Sequence, residues 1–252
     1  MKQLFSILIF LGSFLINAQN EALFNQATDA YNDGDYQKAI ENYQEILDKG
    51  QHSAELYFNL GNAFYKLNQI APSIYNYEKA LLLAPNDPEI KNNLSYAQNM
   101  TLDAIETLPE TGLTKIYERI TDLLSFDQLS YVAIVFMILF VLLYIAFYYL
   151  RYASNKRIAF IASFGCLILS IVSAILAFVQ YNDFKADQPA IVFANEAQVK
   201  AEPNNRSEAV FLLHEGTKVN VLETLNEWKE IKLVDGKTGW IESESIKPLK
   251  DF

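Results

Sequence analysis

Three side chains of the types that act as nucleophiles, redox centres or soft metal ligands open the question of chemistry: Cys166, His52 and His214, the chain's one cysteine and two histidines. One cysteine makes no intramolecular disulfide and no cysteine-clustered zinc site. The histidines stand far apart in sequence, which argues against a His-rich metal centre or a Cys–His pair. Cys166 falls inside an apolar run and reads as a small packing residue; His214 reads as a surface loop residue. No phosphate-binding glycine loop, HExxH or GxSxG occurs. The carboxylates of the N-terminal part recur at helical spacing, as solvated faces do. The residues therefore predict no catalytic site, no metal and no cofactor.

The 252 residues carry 30 acidic and 20 basic side chains, a net charge of −10 that argues against binding nucleic-acid phosphate. The charge is segmented. Residues 20–128 hold 17 acidic and 7 basic side chains, residues 129–182 hold only Arg151, Lys156 and Arg157, and the last 70 hold 13 acidic and 9 basic. That pattern predicts two water-exposed parts around a membrane segment.

Lys2, an apolar run from Leu4 to Ile16 and then Asn17-Ala18-Gln19 read as a secretory signal peptide over 1–18. An uncleaved anchor helix is the alternative, although spanning takes about 20 apolar residues. Two further apolar stretches, 129–150 and 158–181, are long enough to cross a bilayer. Ser125 and Gln128 offer a capping box before the first. The basic loop 151–157 is cytoplasmic by the positive-inside rule, which puts both flanking parts on the periplasmic side of an inner membrane. Tyr131, Tyr148, Tyr149, Tyr152 and Tyr181 fall near the expected interfaces. In the second span Ala159, Ser163, Cys166, Ser170, Ser173 and Ala177 form a seam of small residues. The seam either packs on the first span or docks a partner's membrane helix. Neither span contains an ionisable residue, so no ion or proton pathway is expected.

From residue 20 to 108 the chain aligns on itself at a shift of 34. Gly34-Asp35-Tyr36 falls over Asn68-Gln69-Ile70, Tyr31 over Tyr65, Tyr43 over Tyr77 and Leu47 over Leu81. With Leu60-Gly61, Ala63, Phe64, Ala80 and Pro85, this segment resembles the tetratricopeptide repeat (TPR) family. The first repeat departs from it, with Ala27 at the helix-crossing glycine and Gln26 before it. A closing helix follows from Asp87 or Pro88 towards Pro109, and two repeats plus that helix make a minimal all-α solenoid. The resemblance implies a concave face presenting Phe24, Tyr31, Phe58, Asn62, Tyr65, Lys66, Asn92 and Tyr96 to a partner protein, with Tyr31 and Tyr65 equally readable as packing. A further amphipathic helix is expected over 110–125, either on the membrane surface or against the last repeat helix.

After Pro189 the pattern turns to short β runs bounded by turn residues, with Asp235-Gly236 a strong hairpin signal. Gly216-Thr217, Trp228, Ile231, Asp235-Gly236 and Gly239-Trp240-Ile241 resemble a bacterial SH3 domain over 190–249, which implies a small all-β barrel. Trp228 and Trp240 are its candidate ligand contacts; packing is the alternative.

The whole order of modules, with Asn86-Asp87-Pro88-Glu89-Ile90 leading to Asp103-Ala104-Ile105-Glu106, resembles the BatE proteins of Bacteroidetes. That resemblance implies a place in the aerotolerance (Bat) system, beside membrane proteins with von Willebrand factor A domains and a MoxR-type ATPase. Two functions are weighed: a non-catalytic inner-membrane scaffold acting through the TPR groove, and a peptidoglycan-binding envelope module or sensor acting through the SH3-like domain.

Overall fold

A computed structural model of the chain describes residues 19–103, Gly112 and 123–250. The expected signal peptide, and the expected juxtamembrane helix over most of its length, lie outside those residues. The chain divides into two compact units: the N-terminal helices together with Gln188 onward, and the apolar segment between them.

In the first unit, α1 (19–32), α2 (Tyr36–Asp48), α3 (Ala54–Lys66), α4 (Ile70–Leu83) and α5 (Pro88–Gln98) form two helical hairpins and a single closing helix. Side-chain oxygens satisfy the orphan N–H groups at three of the starts. Asp35 accepts from Lys38 N, Ser53 from Leu56 N, and Asp87 from Glu89 N and Ile90 N, with Pro88 at the first helical position. The repeat is visible in the backbone. The turn inside each hairpin passes through the left-handed region at Gly34 (φ 83°) and at Asn68 (φ 57°), one period apart. Glycine carries no penalty there and asparagine a small one.

Each core is closed by the next helix along, α3 over the first hairpin and α5 over the second. Ala27, Ala39, Ile40, Tyr43, Leu56 and Leu60 fill the first, and Tyr57, Ile74, Tyr77, Ile90 and Leu94 the second. At Gly61 a Cβ would lie 2.7 Å from the Tyr77 ring, so only glycine permits that helix approach. The closing helix ends at Gln98, well before Pro109. Thr101 Oγ1 donates to Gln98 O, and the chain turns toward the β domain.

That domain is one seven-stranded antiparallel sheet: β1 (Pro189–Val192), β2 (Glu196–Lys200), β3 (Ala209–His214), β4 (Lys218–Leu225), β5 (Trp228–Lys232), β6 (Thr238–Glu242) and β7 (Ile246–Pro248). The order is β3-β2-β6-β5-β4-β1-β7. Among the described residues no ladder joins the two edges, so the expected barrel is observed as a sheet with two ends. Bulges at Val199/Lys200 and Val221/Glu223 interrupt its registers. Its core is Ala190, Val192, Val199, Leu213, Val219, Ile231 and Ile241.

The sequence presents the repeats and the β domain as separate modules; the structure packs them into one unit. Ile191 and Leu249, both fully buried, belong to the second helical core. Lys218 Nζ lies 2.7 Å from the buried Glu78 carboxylate, and the Tyr75 hydroxyl donates to Pro248 O at 3.2 Å. Gly216, at φ 86°, leaves no room for a Cβ, which would stand 2.9 Å from both Ile74 Cδ1 and Thr101 Cγ2. Asp103 ties the last helix to the β3–β4 turn: it accepts from His214 N and from the His214 ring, each at 2.7 Å, and from the Thr217 hydroxyl. His214 is therefore not a free loop residue but part of this seam.

The second unit holds α6 (Phe126–Tyr149) and α7 (Ala153–Ala186), both long and apolar enough to cross a membrane. The Ser125/Gln128 capping box forms at the start of α6. Only Leu150, Arg151 and Tyr152 separate the helices, so Lys156 and Arg157 stand inside the first turns of α7 rather than in a loop. Between the helices Ser170 Oγ donates to Ala133 O at 2.8 Å. Ala159, Ser163, Ser170 and Ala177 are buried, while Cys166 and Ser173 are half-buried.

Candidate functional site

A cleft of about 350 Å³ opens across α1, α3 and α5, lined by Tyr31, Asn62, Tyr65, Lys66, Tyr77, Glu89, Asn93 and Tyr96. Five of the eight residues expected on the concave face meet there: Tyr31, Asn62, Tyr65, Lys66 and Tyr96. The other three share one repeat position, since Phe24, Phe58 and Asn92 are spaced by the period of 34. That row points elsewhere. Phe24 packs edge-on against Tyr43 at 5.5 Å, Phe58 tilts against Tyr77 at 5.9 Å, and Asn92 is exposed outside the cleft. The row four residues on, Thr28, Asn62 and Tyr96, supplies two of the lining residues instead.

Tyr77, Glu89 and Asn93 escaped the sequence reading. Tyr77 is on the second helix of its hairpin, and its ring passes Gly61 to bring its hydroxyl to the cleft floor. Glu89, Asn93 and Tyr96 recur at helical spacing on α5, a signal the repeat alignment had already displaced onto Asn92.

Hydrogen bonding on the floor is directional. Asn62 Oδ1 accepts from the Tyr77 hydroxyl at 2.7 Å and from Asn93 Nδ2 at 2.9 Å. Both lone pairs of that oxygen are then used. The Asn62 amide N–H groups and the Asn93 carbonyl remain for a ligand, one donor site beside one acceptor site. Burial pushes the Tyr77 phenol far above its ordinary value, so it remains a neutral donor. Burial likewise raises Tyr31, assisted by the neighbouring Tyr36 and Tyr43 phenols. Lys66 and Glu89 add one charge of each sign. A donor–acceptor pair walled by tyrosines complements a peptide unit and an adjoining apolar side chain. Among the described residues no group of three His, Cys, Asp or Glu side chains converges to hold a metal ion.

In the sheet Trp228 is buried at the start of β5, with Lys200 Nζ 5.6 Å from its ring. Trp240 is half-buried on β6, in register with Lys200 on one side and Glu230 on the other. Gly239 admits no Cβ, which would fall 2.6 Å from Val199 Cγ1, so β6 lies close against β2.

Comparison with known proteins agrees with this division. Residues 54–87, which contain α3 and α4, match the tetratricopeptide repeat family, and residues 195–247 match the bacterial SH3 domain family. No curated protein matches the chain. Among solved structures, the crystal structure of a TPR repeats protein from Bacteroides fragilis NCTC 9343 is 17% identical, covers 68% of this chain and 81% of that chain, and has a TM-score of 0.30.

Proposed function

We propose that the protein is a non-catalytic scaffold anchored in the inner membrane, whose helical-repeat cleft holds an extended segment of a partner protein. The observation that carries this reading is the floor of the cleft, where Asn62 and Asn93 offer one donor and one acceptor between tyrosine walls. Main-chain recognition of this kind reads a peptide's path more than its sequence. The resemblance to BatE proteins names the setting, a membrane complex of the aerotolerance system with von Willebrand factor A partners.

Anchoring follows from the second unit. Ile138, Leu142, Ile161, Leu169 and Ile175 are all exposed on α6 and α7, apolar surface that water would not tolerate and lipid would. With the positively charged turn in the cytoplasm, the first unit lies in the periplasm. A Ser154→Cys label site in a Cys166→Ser background tests that orientation. It should react with an impermeant maleimide only after the inner membrane is opened.

The test of function is affinity purification from solubilised membranes, comparing the wild-type chain with Asn62→Ala/Tyr65→Ala. The expected result is loss of specific co-purifying membrane proteins from the double variant. Retention of every partner would remove the cleft as the docking element. The second reading, binding of cell-wall peptidoglycan, rests on the half-buried Trp240 and the bacterial SH3 likeness. It predicts instead that Trp240→Ala abolishes sedimentation with sacculi while partner proteins remain.

A further inference from the structure

Phe24 and Phe58, which miss the cleft, each line another cavity, of about 410 Å³ and about 360 Å³. The two cavities are related by the repeat. Glu21, Phe24, Glu55 and Leu56 line the first; Glu55, Phe58, Glu89 and Ile90, each 34 residues on, line the second. Glu55 belongs to both, so one row of three carboxylates runs across α1, α3 and α5. None of the described lining residues is basic. The ion pairs of the described residues involve none of the three carboxylates.

Carboxylates near helix starts complement the helix dipole wherever they occur. What marks this row as a site is Asn20. Its side chain lines the first cavity and is 4% exposed, and its Nδ2 donates to Gln51 Oε1 at 2.6 Å. Its Oδ1 is buried and, among the described residues, accepts from nothing. A buried acceptor in that condition costs free energy until a donor reaches it. The carboxylates and the unused acceptor call for the same group, a cation that carries N–H. A phenylalanine ring and an aliphatic side chain in each cavity match the apolar stem behind such a head group in arginine or lysine.

We propose that this row is a docking surface for a basic segment of a partner protein, which lays one arginine or lysine side chain in each cavity. The stems rest on Phe24 and Phe58, the head groups face the carboxylates, and in the first cavity the head group donates to Asn20 Oδ1. The field of a chain with a net charge of −10 steers such a segment toward it. The site is separate from the cleft floor, since Asn62 and Tyr65 line neither cavity and only Glu89 is common. It stands or falls apart from the cleft reading.

Calorimetric titration of the full-length protein in detergent micelles tests it with acetyl-Ala-Arg-Ala-Ala-Arg-Ala-amide, whose blocked ends carry no charge. The same peptide with citrulline at both arginine positions keeps the shape and loses the cations. The expected result is saturable binding of the arginine peptide, tighter than the citrulline peptide by about tenfold or more. Glu55→Gln, at the residue common to both cavities, should weaken it by about fivefold. Glu208→Gln removes the same charge from an exposed position in the β domain and should leave binding unchanged, as should Asn62→Ala/Tyr65→Ala in the cleft. Asn20→Ala should also weaken binding, but the exposed Glu55→Gln decides the matter if that variant does not fold. Equal binding of the two peptides, full binding by Glu55→Gln, an equal loss in Glu208→Gln, or loss in the cleft variant would each overturn the assignment.

Discussion

Asp103 and His214, 111 residues apart in sequence, are joined twice: the carboxylate accepts from the histidine's main-chain N–H and from its Nδ1, both at 2.7 Å. An ionised carboxylate only accepts, so Nδ1 carries the proton. The pair closes the seam at an informative place. Asp103 stands near the end of the first unit's N-terminal part, and the unit resumes at Gln188, whose N–H donates to Asn220 Oδ1 and whose carbonyl accepts from Val221 N. The β3–β4 turn and β4 therefore hold residues on both sides of the segment that carries α6 and α7.

Removing the carboxylate should loosen this grip. Asp103→Ala leaves the His214 N–H and the Thr217 hydroxyl without their acceptor in a partly buried site, a cost of about 2–3 kcal/mol. Hydrogen exchange of the full chain in micelles should show deprotection concentrated in Ala209–Asn220. Uniform deprotection, or none, would contradict the assignment.

The same group predicts an acid limit. Burial alone would push the Asp103 carboxyl up, but hydrogen bonds from Thr217 and from the main chain and ring of His214 outweigh it, and the group is held below its ordinary value. A depressed folded value means that the stabilisation is complete above the unfolded value of about 3.9 and is lost as pH falls through the folded one. The stability difference between wild type and Asp103→Asn should be level near neutrality and shrink below about pH 4. Denaturant titrations across pH measure it.

Two glycines in left-handed conformation separate strain from packing. Gly50 (φ 77°) has nothing within 4 Å of a built Cβ, so Gly50→Ala should cost about 1 kcal/mol, from the backbone alone. Gly216→Ala adds a collision with Ile74, which is fully buried and has little space in which to yield. Its cost should exceed that of Gly50→Ala by about 1–3 kcal/mol. Equal midpoints for the two variants in urea would show that the seam can relax.

Gly61→Ala should destabilise the second hairpin by about 1–3 kcal/mol, because the Tyr77 ring occupies the space of the new methyl group. Combining it with Tyr77→Leu should cost less than the sum of the two single changes, as residues in contact couple. Strict additivity would mean that the ring already swings clear in Gly61→Ala.

Much of this molecule is written locally. The period of 34 gives the hairpins, and Asp35, Ser53 and Asp87 mark helix starts because a cap needs only a side-chain oxygen and the next few N–H groups. Gly34 and Asn68 identify the turns because few residue types accept a left-handed backbone. The long apolar helices and the β runs follow from composition and spacing in the same way. Each of these signals is complete within a dozen or so neighbouring residues.

What the sequence could not determine is the direction a repeated position faces and which surfaces meet. Phe24, Phe58 and Asn92 hold one repeat position yet none lines the cleft, whereas Asn93, one residue on, does; facing is set by how successive helices pack. Tyr77 reaches the cleft only because Gly61 lets two helices approach. His214, Thr217 and Gly216 read as an ordinary β turn until α4 and the end of α5 are placed against them. Such contacts join side chains more than a hundred residues apart, and their complementarity of shape and charge leaves no periodic trace in the chain. Local chemistry determined the elements; burial against distant partners decided the cleft and the seam.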